Sequence, residues 1–93
     1  MNEQNPLVTN TLIKYKEKQS IEELANFLET IAKKLKENKE FTLVQNGEEV
    51  TVQPSAMVKT EIEYTQKGDK HSFEFEFDWV EGEARNDGKM EIK

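Results

Sequence analysis

The sequence predicts an α+β domain: one amphipathic helix packed on a mostly antiparallel five-stranded sheet, in the order β-α-β-β-β-β. Two observations carry this. Apolar residues form a single stripe at helical spacing over residues 20–38, and they alternate with polar ones over 41–52 and 57–80. Length adds a third, since 93 residues are too few to divide into two stable cores. One domain is therefore expected over 12–83. Hydrophobic and charged side chains each make up 34% of the chain, a composition that borders on disorder. The periodicity is what argues for packed faces.

Residues 1–11 are polar, contain Pro6 and read as a flexible leader. Over 12–18, Ile13 and Tyr15 alternate with Lys14, Lys16 and Lys18, which predicts a short strand with a basic outer face. Ser20 and Glu23 then form a capping box, the serine hydroxyl accepting from the backbone of position 23 and the glutamate reaching back. The apolar stripe at 21, 24, 25, 27, 28, 31, 32 and 35 follows, and lysines crowd the end near Asn38, where the helix dipole favours cations.

Asn46-Gly47 predicts a type I′ hairpin, because both central positions need positive φ. That turn pairs Leu43 with Val50 and Phe41 with Val52, placing four apolar side chains on one face. Pro54 ends the second of these strands. A turn at Gly68-Asp69 pairs Tyr64 with Phe73, Ile62 with Phe75, Thr60 with Phe77 and Val58 with Trp79. A slip of one residue would set glutamates opposite the aromatic row, so the register is well specified. Residues 84–93 read as a disordered tail.

For sheet order the expectation is 1-5-4-3-2, with the helix over the aromatic face. The lysines of the first strand would then lie beside the acidic face of the last. A parallel placement of the first strand beside the second, by a right-handed crossover, is the rival.

The net charge is −6, and residues 57–83 carry eight acidic against three basic side chains. Such a surface repels phosphate, which argues against nucleic acid and anionic membranes as partners. No apolar stretch approaches the length of a membrane span and no signal-peptide pattern opens the chain, so a cytoplasmic protein is expected. Without cysteine there is no disulfide framework and no thiolate.

In the derived register Glu63 faces Glu74, Glu61 faces Glu76 and Lys59 faces Asp78. Like charges directly opposite are destabilising, so something should offset them. Alternatives are the lysines of the first strand, plain solvation, or a basic protein partner or cation. Phe73, Phe75, Phe77 and Trp79 suggest a base-stacking platform, but such platforms need basic neighbours and these are acidic. The row reads instead as the face beneath the helix, with Trp79 at a rim where its indole N–H finds a partner. His71 lacks companions for a metal or nucleophile set and reads as a surface residue.

The capped helix, the Asn-Gly hairpin and the strand Ser72-Phe73-Glu74-Phe75-Glu76-Phe77-Asp78-Trp79 together resemble the amphi-Trp domain family over about residues 12–83. By that resemblance Trp79 is the family's signature tryptophan. The resemblance implies no catalytic residue.

The functional expectation is a non-enzymatic interaction module with no cofactor and no metal. It would bind a protein, a peptide or a second copy of itself through a sheet edge, the acidic face or the tryptophan rim. The candidate contact residues are Trp79, Glu61, Glu63, Glu74 and Glu76. The alternative is a small-ligand or enzymatic site in a pocket between helix and sheet, near Trp79 and Tyr64.

Overall fold

The computed structural model describes residues 7–82. The chain divides into two compact units, Met1–Val52 and Gln53–Lys93.

In the first unit, residues 7–20 have no regular secondary structure. Helix α1 spans Ile21–Asn38 and starts as its capping box requires. The Ser20 Oγ accepts from the Glu23 N–H at 3.0 Å, and the Glu23 carboxylate accepts from the Ser20 N–H at 2.9 Å. Two of the orphan donors of the first turn are thereby satisfied. At the other end Lys39 takes up a left-handed conformation, φ 62°, and its N–H closes on the Leu35 carbonyl at 3.0 Å. Two residues later the chain enters strand β1, Phe41–Gln45, which pairs with β2, Glu48–Val52. The Asn46-Gly47 turn has positive φ at both positions, 52° and 81°, the I′ pattern.

The register is the expected one: Phe41 opposite Val52, Leu43 opposite Val50, Gln45 opposite Glu48. Phe41, Leu43, Val50 and Val52 are half-buried while Thr42 and Thr51 face away, joined by a 2.9 Å hydrogen bond between their hydroxyls. Helix α1 lies along β1. Its residues Phe27, Ile31 and Lys34 border a cleft whose other wall is Phe41, Thr42 and Leu43.

The second unit holds β3, Lys59–Lys67, and β4, Lys70–Asp78. Gly68 alone has positive φ in the connecting turn, 61°, as a II′ turn requires at its first position. Each expected pair within the strands is present: Tyr64 with Phe73, Ile62 with Phe75, Thr60 with Phe77. Val58 and Trp79 lie just outside them. The Ser55 hydroxyl donates to the Val80 carbonyl at 3.2 Å, tying the entry loop to the exit of β4.

The fold is α+β, as the sequence predicts, but the five-stranded sheet and its order 1-5-4-3-2 are corrected. Among the described residues there are four strands in two two-stranded sheets, β1-β2 and β3-β4. Residues 12–18 form no strand, so neither proposed place for it, beside the last strand or beside the next, is occupied. The physical reason is the distance to a partner. Each hairpin closes its ladder across two turn residues, whereas 12–18 has no such neighbour and must meet the larger entropy of a long loop. It has only Leu12, Ile13 and Tyr15 to bury, and the Tyr15 hydroxyl bonds instead to the nearby Glu17 carboxylate. Of the expected leader, residues 7–11 are exposed and irregular, and 1–6 lie outside the described residues, as does the expected tail 84–93.

Candidate functional site

Strands β3 and β4 sort their side chains by chemistry because alternate residues of a strand point to opposite faces. One face carries Thr60, Ile62, Tyr64 and Gln66 opposite Phe77, Phe75, Phe73 and His71. The other carries Lys59, Glu61 and Glu63 opposite Asp78, Glu76 and Glu74. The hairpin is thus aromatic on one side and acidic on the other.

The aromatic side holds two groups of rings in contact. Phe75 and Phe77 have ring centroids 6.0 Å apart, and Phe77 stacks on Trp79 at 5.8 Å. Towards the turn, Tyr64 stacks on His71 at 5.8 Å and the Tyr64 hydroxyl meets His71 Nδ1 at 2.6 Å. Phe77 and Trp79 are half-buried. The rest of the row, expected as a covered face beneath the helix, is open: Ile62, Tyr64 and Phe73 retain 63–66% of their surface and Phe75 retains 56%. Single exposed apolar residues are ordinary, whereas these stand together on one face of the hairpin.

On the acidic side, Glu61, Glu76 and Asp78 bring one carboxylate oxygen each within 4.8 Å of one another. Hard cations prefer six or more oxygens, usually gathered by a turning loop, and three exposed carboxylates on a flat ladder offer half that. Glu63 and Glu74 form the next pair along the same face.

All five candidate contact residues therefore lie on this one hairpin or its exit, the four glutamates on one face and Trp79 at the end of the aromatic row. Two further members escaped the sequence reading. Asp78 belongs to the carboxylate group, and the register already placed it next to Glu76 and opposite Lys59. His71 is a surface residue, as expected, but also the partner of Tyr64. The register puts Tyr64 and His71 on one face, one step apart diagonally, but does not fix that their side chains meet.

A cleft of about 260 Å³ lies in the first unit between α1 and β1, with Phe27, Ile31, Phe41 and Leu43 as its apolar wall and Lys34 and Glu40 at its edges. None of the candidate contact residues lines it. No described helix is long and apolar enough to cross a membrane.

Fold and site define a small α+β protein whose distinguishing part is a long amphipathic hairpin ending on a tryptophan. The chain belongs to the Amphi-Trp domain family, whose model matches residues 7–93. That span is broader than the 12–83 on which the resemblance rested and includes the C-terminal segment. No curated protein and no solved structure matches the chain.

Proposed function

We propose that this chain is a non-enzymatic protein-interaction module that accepts an extended segment of a partner protein along the hairpin of β3 and β4. The observation that carries it is the division of that hairpin into an open aromatic face and a carboxylate face. A two-stranded hairpin is marginal alone in water, and a third strand is the usual way to stabilise one. Its free edges offer unpaired N–H and C=O groups for strand addition, while pockets between alternate side chains select the sequence. The partner segment should alternate apolar with basic residues, so that each of its faces meets its complement. The same acidity disfavours nucleic acid and anionic lipid.

Titration with a synthetic heptapeptide alternating lysine with isoleucine and tyrosine tests this reading. Saturable amide shifts in β3 and β4, with a change in Trp79 emission, are the expected result. The matched peptide with glutamate for lysine should bind far more weakly. Equal responses to both peptides, or none to either, would overturn the reading.

A second reading rests on the cleft between α1 and β1, where Phe27, Ile31, Phe41 and Leu43 meet the polar Thr30, Lys34, Asn38, Glu40 and Thr42 around a space that a small molecule could enter. It predicts ligand-induced shifts at Phe27, Ile31 and Leu43 with none in β3 or β4, so the two readings separate by where the shifts fall.

A further inference from the structure

The outer edge of β4 is more selective than the hairpin as a whole. Along β4 the acidic face carries Glu74, Glu76 and Asp78 at successive alternate positions, while β3 offers Glu61 and Glu63 followed by the opposite charge of Lys59. An added strand beside β4 therefore meets three carboxylates in a row at a repeat of two residues. The best match is a strand with three cations at the same repeat and apolar residues between them.

The chain contains a segment with that cation repeat. Residues 12–18 place Lys14, Lys16 and Lys18 at alternate positions, with Ile13 ahead of them and Tyr15 and Glu17 between them. The segment has no helix or strand of its own, and all of it except the half-exposed Ile13 is open. Its backbone donors and acceptors are free of any ladder. In an added antiparallel strand the lysines would stand beside Glu74, Glu76 and Asp78, while Ile13 and Tyr15 would stand beside Trp79 and Phe77. Glu17 would fall beside Phe75, the one mismatch in the pattern.

We propose that residues 12–18 of a second copy add to the outer edge of β4, making each hairpin a three-stranded sheet in a reciprocal homodimer. Every copy carries both the acidic edge and the matching segment, so a two-fold pairing forms the contact twice. Exchange of this kind also covers edges that would otherwise invite open-ended association. The proposal rests on the hairpin being a strand acceptor, and it names the strand.

The test uses the full chain in two charge-reversed forms, followed by sedimentation equilibrium. The first variant combines Lys14→Glu, Lys16→Glu and Lys18→Glu; the second combines Glu74→Lys, Glu76→Lys and Asp78→Lys. The unaltered protein should dimerise, and each variant alone should dissociate about tenfold more readily or worse. Mixing the two should restore the dimer, because one contact then sets the acidic segment on the basic edge and the other keeps the unaltered basic segment on the unaltered acidic edge. Circular dichroism and amide spectra of each variant establish that it has kept its hairpins. Recovery on mixing is itself a readout that misfolding cannot imitate. An unaltered protein that is monomeric at every concentration, or a mixture no more associated than its parts, would overturn the proposal. If the heptapeptide still bound in that case, the acceptor reading would stand and only the identity of the strand would fall.

Discussion

Glu61 stands directly opposite Glu76 across the β3–β4 ladder, and each sets a carboxylate oxygen within 4.8 Å of one from Asp78. Two like charges directly opposite, with a third beside them, oppose the pairing that brings them together. Cross-strand like-charge pairs are destabilising on the same scale as favourable pairs stabilise, roughly 0.2–1 kcal/mol. Glu76→Lys should therefore raise the urea midpoint, by the equivalent of about 0.5–1 kcal/mol, with an unchanged slope. Glu76→Gln should give a smaller gain. The same Glu76→Lys protein should bind the lysine-rich heptapeptide less tightly. Stability gained together with binding lost is the signature of a residue kept for contact rather than for folding. A lowered midpoint would mean that something in the folded protein already neutralises Glu76.

Two left-handed positions in the first unit make opposite predictions. Lys39 ends α1 at φ 62°, and Gly47 completes the I′ turn at φ 81°. A side chain at such angles crowds its own carbonyl, at about 1–2 kcal/mol for an ordinary residue. Lys39→Gly should therefore stabilise the protein by about 0.5–1 kcal/mol, since glycine is the preferred residue at a left-handed helix end. Gly47→Ala should destabilise it by about 1 kcal/mol. An added Cβ at Gly47 meets open space within 4 Å, so the loss comes from the backbone angle alone. Thermal melts of the two variants should move in opposite directions. A shift of the same sign in both would refute the argument from φ.

The parts legible from sequence were those whose signal is local. The capping box lies within four residues, and Asn46-Gly47 sets the register of its hairpin by the geometry of one turn. The β3–β4 register followed because a one-residue slip would exchange its aromatic and acidic faces. Alternation at 12–18 looked the same on paper as in β1. It differs in having no turn to bring it a partner, and pattern alone carries no information about what is near in space. The site followed the same division. The four glutamates were readable from the register, but the Tyr64–His71 pair depends on how two side chains lean across a diagonal, which alternation does not specify.

Tyr15 supplies a pH-dependent test within 12–18. Its hydroxyl donates to the Glu17 carboxylate, and that hydrogen bond is the main reason its pKa is raised above the ordinary 10.0; slight desolvation and the negative charges of Glu17 and Glu23 add to it. The donor is the neutral phenol, so ionisation removes the bond and sets two negative charges side by side. Because the folded value is raised, the stabilising contribution is fully present below about pH 10 and is lost as pH climbs through the folded pKa. Glu17→Gln leaves an acceptor but no charge, and should move the Tyr15 titration part of the way down. Glu17→Ala should bring it close to 10.0. Added salt screens the charge contribution but leaves the hydrogen bond, so it should lower the value only in part. Ring-proton shifts assigned to Tyr15 between pH 8 and 12 would follow all three changes. If Glu17→Ala left that titration where it was, the Tyr15–Glu17 bond would not exist in solution, and residues 12–18 would not be held by it.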